Sequence, residues 1–281
     1  ALYDPQRHQP LAFRYGLEFG ITANAFCAWN WWLLGYPDQA LEYGRRTMVL
    51  LDKIKHPYSE SRSLYWNAVL HAFREEWSIV HERAADTMKL AGEHGFELVL
   101  AAGQIMRGAA TAAIGRPGVG LQRIRDGLDA YRATDGLVHG TYYLAMLARV
   151  LNKEGLPEEG IEVLQDAVNL VEKTDERYYE AEIYRLKGEL LLSASPQSFI
   201  EAEACYQQAL GVARRQEAKS LELRAATSLA RLWRERDKRR EAQELLTQVF
   251  DWFTEGFDTA DLKNARPLPD ELARQTDSRM T

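Results

Sequence analysis

The sequence predicts an all-α fold, a solenoid of about six helical hairpins with a period of about 40 residues, and three observations carry that reading. Small residues recur in one register: Ala28, Ala68, Gly108, Ala148 and Gly188 stand 40 apart, and Ala230 continues the series after the two-residue insertion Ser195 and Pro196. A Gly-x-Pro step shares a second register, as Gly35-x-Pro37, Gly115-x-Pro117 and Gly155-x-Pro157. On both sides of that step apolar residues fall at three- and four-residue spacing, the signature of one helix face.

Each element follows from this pattern. Glycine suits the left-handed residue that ends a helix, and proline suits the first position of the next, where its missing N–H is not needed. The hairpins therefore fall near 18–55, 56–95, 96–135, 136–175, 176–217 and 218–250. In the fourth, helix A runs through Tyr142, Leu144, Leu147, Ala148 and Leu151, and helix B through Ile161, Leu164, Ala167 and Leu170. One face of helix B repeats as Ala40, Val80, Gly120, Gly160, Ala202 and Ala242, each followed four residues later by Gly44, Ala84, Ile124, Leu164, Tyr206 and Leu246. Residues 1–17 read as an extension or the end of an upstream helix. Residues 251–281 read as a cap, in which Trp252, Phe253 and Phe257 close the array, Asp258 or Thr259 caps a short helix, and Pro267 and Pro269 break it.

The arrangement resembles the tetratricopeptide repeat (TPR), in which an aromatic, a Leu-Gly pair and a second aromatic on helix A precede Ala, Phe and Ala on helix B. Tyr184, Gly188, Ala202, Tyr206 and Ala209 fit best; elsewhere the aromatic positions are often Leu, and His71 and Thr111 occupy two of them. The period exceeds the usual 34, and longer helices account for the difference. HEAT-like repeats share the longer period, but the spacing of 12 between the small residues of the two helices favours the tetratricopeptide packing.

Composition bounds the function. Of 281 residues, 46% are hydrophobic and 27% charged, which excludes intrinsic disorder. A net charge of -6 argues against nucleic acid as a partner, except at a local basic stretch from Arg214 to Arg240 that holds ten Lys or Arg against four acids. An exposed helical face with pairs such as Arg231 and Glu235 is the simpler reading of that stretch. The most apolar segment, Ile21 to Leu34, is too short and too polar for a membrane span. Two isolated cysteines among apolar neighbours, Cys27 and Cys205, look like buried free thiols and fit a reducing cytoplasm. A chain that begins with Ala and lacks a signal-peptide pattern is expected to be part of something larger.

The tetratricopeptide resemblance implies a concave groove lined by the A helices. Carried over by register, its wall comprises Trp29, Trp32, Arg62, Tyr65, Phe73, Tyr142, Arg149, Lys153, Arg185, Arg224, Arg231 and Arg234, with small Ala102, Ala109 and Ala112 in the middle. It runs from aromatic to basic, which suits an extended acidic peptide or a free C-terminus, because arginine grips a carboxylate with two parallel hydrogen bonds. Two other readings stay open: the arginines as solvated surface, and Trp29 with Trp32 as packing beneath residues 1–17.

No catalytic constellation is legible. The stretch Gly115 to Gly120 lacks the Lys-Ser/Thr ending of a phosphate loop and reads as a hairpin turn. The histidines His8, His56, His71, His81, His94 and His139 never pair at i, i+4, and no cysteine pair has metal-ligand spacing. Glu75 with Glu76, and Glu158 with Glu159, read as structural. No cofactor, metal or catalytic residue is expected.

Several phrases carry a closer resemblance: Trp32 to Ala40 (WLLGYPDQA), Arg177 to Leu192 (RYYEAEIYRLKGELLL), the run from Ala204 to Trp233, and Trp252 to Leu262 (WFTEGFDTADL). These resemble the C-terminal repeat region of bacterial multidomain signalling proteins. There a class III adenylate or guanylate cyclase, or another output domain, precedes a signal-transducing ATPase and then such repeats. The resemblance implies a non-catalytic regulatory module that binds a protein or peptide, including another domain of its own polypeptide. Its alternative is a receptor for a small-molecule inducer or signal peptide.

Overall fold

A computed structural model describes residues 12, 14, 16–51, 56–136 and 138–266, and the described residues form thirteen α-helices and no strand. The helices alternate as A and B members of hairpins: α1 (Phe19–Leu33) with α2 (Pro37–Leu51), α3 (Pro57–Phe73) with α4 (Trp77–Glu93), and α5 (Glu97–Ala113) with α6 (Pro117–Ala133). Then come α7 (Gly140–Lys153) with α8 (Pro157–Thr174), α9 (Glu180–Ala194) with α10 (Phe199–Arg215), and α11 (Lys219–Glu235) with α12 (Arg239–Phe250). A short α13 (Ala260–Ala265) follows. The expected fold class is the observed one. The long period has the expected cause, since α3, α4, α5 and α6 are each 17 residues long.

The turns explain why the helices stop where they do. Gly35, Gly115 and Gly155 hold φ of 89°, 101° and 74°, a region closed to most side chains, and Pro37, Pro117 and Pro157 each open the next helix. Where glycine is missing the same left-handed residue is supplied by Glu75, Asp135, Asp175, Glu217 and Asp237, with φ between 54° and 60°. Sequence patterning passes over these five, because an acidic residue is a weaker left-handed signal than glycine. Glu76 is held beside its turn by Arg74, whose Nε donates at 2.9 Å, and by the ring of His71.

The chain divides into two compact units, Ala1–Trp32 with Pro37–Leu137, and Leu33–Tyr36 with Val138–Thr281. In the first, small residues let helices touch through their backbones: a Cβ on Gly120 would meet the carbonyl oxygen of Gly108 at 2.5 Å. In the second, a Cβ on Gly188 would meet the Tyr206 ring at 2.6 Å. Ala202, Tyr206, Leu229 and Leu246 form the last core, which Phe253, Leu262 and Ala265 close. Thr259 stands at the N-cap of α13, as one of the two expected positions, although its hydroxyl donates to the Gly256 carbonyl at 2.7 Å and caps no helical N–H. Cys27 and Cys205 are free and only half-buried, rather than fully buried as their apolar neighbours suggest. Most of the expected N-terminal extension, and all of Pro267 and Pro269, lie outside the described residues.

Candidate functional site

In the second unit, the A helices α7, α9 and α11 bring Arg149, Arg185 and Arg224 to one carboxylate, that of Glu182. Arg185 binds it in a fork, Nε to Oε2 and Nη2 to Oε1, both at 2.7 Å. Arg224 Nη1 approaches Oε1 at 3.7 Å. Burial alone raises a carboxyl pKa, but the attraction and hydrogen bonds of Arg185, reinforced by Arg224 and Arg149, hold Glu182 below the ordinary carboxylate range. Burial likewise works against the charge of Arg185, and Glu182 with Glu189 reverses it, leaving the guanidinium firmly protonated. Arg185 Nη1 also meets the carboxylate of Glu189 and donates to Ser228 Oγ at 3.2 Å.

Tyrosines floor this cluster. Tyr142 and Tyr179 are wholly buried and cross edge to face with ring centres 4.9 Å apart. Burial, and then the nearby charge of Glu182, pushes the Tyr179 phenol well above its usual pKa, so it stays neutral. The start of α7 is fixed from the α8–α9 turn, where Thr141 Oγ1 donates to Glu176 Oε2 at 2.8 Å. At the far end, Arg224 Nε donates to Asp261 Oδ1 at 2.8 Å and Arg231 Nη2 to the Asn264 carbonyl at 3.2 Å, so α13 rests on the same stripe of α11. An open cleft of about 420 Å³ lies beside Lys153, lined also by Asn152, Gly155, Pro157, Glu158, Ser193 and Ala194.

The first unit treats its share of the expected wall differently. Trp32 stacks on Phe73 with ring centres 4.7 Å apart, Trp29 Nε1 donates to the Trp66 carbonyl at 3.0 Å, and Tyr65 is 2% exposed. Trp29, Trp32, Tyr65 and Phe73 thus supply packing area rather than open wall, as Tyr142 does in the second unit, and Ala102, Ala109 and Ala112 are buried too. Register assigns residues to one stripe of an A helix but does not tell whether neighbouring elements cover it. Of the expected wall residues, Arg62 and Arg149 are partly exposed, and Lys153, Arg231 and Arg234 are exposed. Arg185 and Arg224 are buried, each 8% exposed. Glu182 and Glu189 occupy the same register as the arginines, and sequence reading missed them because it collected one sign of charge.

Among the described residues no group of three or more His, Cys, Asp or Glu side chains is arranged to hold a metal ion, and no helix is long and apolar enough to cross a membrane.

The fold is that of an all-α, tetratricopeptide-like repeat protein, and its helices α7, α9 and α11 carry a cluster of arginines around the buried Glu182. No family model matches the chain. It is 27% identical over 235 residues to an uncharacterised protein of Rhizobium meliloti (strain 1021), a match covering 83% of this chain and 22% of the relative's length. Among solved structures it is similar to NprR in complex with its cognate peptide NprX, at a TM-score of 0.65 and 12% identity, over 91% of this chain and 70% of that one. A Rap protein complexed with competence and sporulation factor gives a TM-score of 0.60 at 12% identity, over 92% and 87%. The apo form of RapI gives 0.52 at 12% identity, over 92% and 85%. Identities this low speak to the fold alone.

Proposed function

We propose that this chain is a non-catalytic regulatory module that binds an acidic peptide or protein segment along the inner stripe of α7, α9 and α11. The observation that carries the reading is the convergence of Arg149, Arg185 and Arg224 on the single buried carboxylate of Glu182, with Lys153 of α7 and Arg231 and Arg234 of α11 exposed on the same helices. Guanidinium groups already fixed by Glu182, Glu189 and Asp261 lose little freedom when a ligand carboxylate arrives, which is how preorganised sites gain affinity. Fixed arginines also select planar carboxylates by geometry, where a lysine would act as a point charge. The fold likeness to NprR, whose solved structure holds its cognate peptide NprX, supports a peptide as the ligand.

The module belongs, in this reading, to a longer bacterial cytoplasmic signalling protein with an ATPase and a cyclase or other output domain. Its partner is then either an incoming peptide or a segment of its own polypeptide. The span of only 22% of the Rhizobium relative supports the larger context. A small-molecule inducer is the second reading, favoured by the cleft beside Lys153, whose volume falls within the range usual for small ligands.

Panning a random heptapeptide display library against the immobilised chain tests the proposal. Enriched sequences are expected to carry Asp or Glu and to lose binding to Arg149→Ala and Arg231→Ala variants. Enrichment without acidic residues, or undiminished binding to both variants, overturns it.

A further inference from the structure

Away from the arginine stripe, three helices of the first unit bring basic side chains to one level. A Cβ on Gly103 of α5 would meet Thr87 and Met88 of α4 at 3.0–3.1 Å, and one on Gly108 would meet Ile124 of α6 at 2.7 Å. Arg107 lies one turn beyond Gly103 and next to Gly108. Because α4 runs antiparallel to α5, that turn stands opposite the turn of α4 holding Arg83, and on its other side opposite the turn of α6 holding Arg123. His81 belongs to the same group: burial lowers its proton affinity first, and the charges of Arg107 and Arg123 lower it further.

These cations are under-supplied with anions. The Nε atoms of Arg83 and Arg107 are both buried, and neither has an acceptor. Arg83 reaches Asp86 only at 3.6 Å, longer than a charge-assisted hydrogen bond. Among the described residues, no carboxylate pairs with Arg107 or Arg123. A desolvated guanidinium donor without an acceptor is unfavourable, and like charges held together add to the penalty. An anion removes both.

We propose that Arg83, Arg107 and Arg123, with His81 at their edge, form a binding site for a phosphate-monoester group. Donors arriving from three helices surround a tetrahedral dianion better than they match a planar carboxylate, which one arginine fork satisfies alone. The site is independent of the peptide reading, since it lies on other helices and uses none of the inner-stripe residues.

Isothermal titration of the full chain at low ionic strength, with inorganic phosphate, O-phosphoserine and adenosine monophosphate as separate probes, tests it. At least one probe is expected to bind at a single site, at least about tenfold more weakly in Arg107→Gln and Arg123→Gln. The three arms tell free phosphate from a phosphorylated hydroxyl and from a nucleotide. In NMR titrations the imidazole signals of His81 are expected to move with the same dissociation constant, and Arg62→Gln is expected to bind as the parent does. Should Arg107→Gln lose helicity, Arg123→Gln and the His81 signal decide. Absence of binding by all three probes, equal binding by Arg123→Gln, or a stationary His81 signal overturns the proposal.

Discussion

The carboxylate of Glu182 receives two parallel hydrogen bonds from the guanidinium of Arg185, each 2.7 Å long, at a site where the glutamate is 1% exposed. Such a pair does not by itself stabilise a fold, because desolvating both charges offsets their attraction. Breaking it is another matter. Glu182→Ala leaves Arg185 and Arg224 buried with their shared partner gone, and is expected to lower stability by about 3–5 kcal/mol in urea denaturation. A loss under about 1 kcal/mol would show that the arginines find other acceptors and that the stripe is not held by Glu182.

The same residue sets an acid limit. A carboxyl whose folded pKa is depressed binds fewer protons folded than unfolded, so its stabilisation is complete at neutral pH. That stabilisation is lost as pH falls below the ordinary value of 4.5 and through the lowered folded pKa. Glu76 adds to the trend: burial opposes its charge, and His71 and Arg74 outweigh burial. Stability measured from pH 7 to pH 3 is expected to fall below about pH 4.5, with a shallower fall in Glu182→Gln. Identical pH profiles for the two proteins would remove Glu182 from the account.

Close helix packing makes an opposite pair of glycine tests. A Cβ at Gly120 would lie 2.5 Å from the Gly108 carbonyl oxygen and 2.7 Å from the Ala112 backbone, neither of which can step aside. Gly120→Ala is therefore expected to destabilise by about 1–3 kcal/mol despite the better helix propensity of alanine. Gly92 of α4 has nothing within 4 Å of the same position, and Gly92→Ala is expected to stabilise by up to about 1 kcal/mol. Thermal melts of the two variants shifting in the same direction would contradict the helix–helix contact described.

The fold was legible because its signal is repeated. Gly108 and Ala148 mean little alone, but six small residues in one register leave few alternatives to stacked hairpins. The site was legible only in outline. Register placed Arg149, Arg185, Arg224 and Arg231 on one stripe of the A helices, three of which meet at Glu182. It could not tell Trp32, pressed against Phe73, from a tryptophan facing solvent, because both obey the same period. Glu182 was invisible for a different reason: a lone glutamate on a helix is ordinarily solvated, and only the approach of Arg185 and Arg224 in three dimensions makes it the centre of a network. The basic stretch around Arg83, Arg107 and Arg123 escaped notice because its members lie on three helices and never adjoin in sequence.

If exposed guanidinium groups on the stripe of α7, α9 and α11 read acidic residues of a peptide, exchanging the charges across the contact exposes it. Fluorescence anisotropy would follow a labelled acidic peptide, taken from the library selection, binding to the parent chain and to Arg231→Glu. The charge reversal is expected to weaken binding at least about tenfold, and a peptide with the matching Asp or Glu replaced by Lys to regain most of the loss on the variant. Equal affinity of the acidic peptide for both proteins, or no recovery by any lysine-substituted peptide, would contradict it.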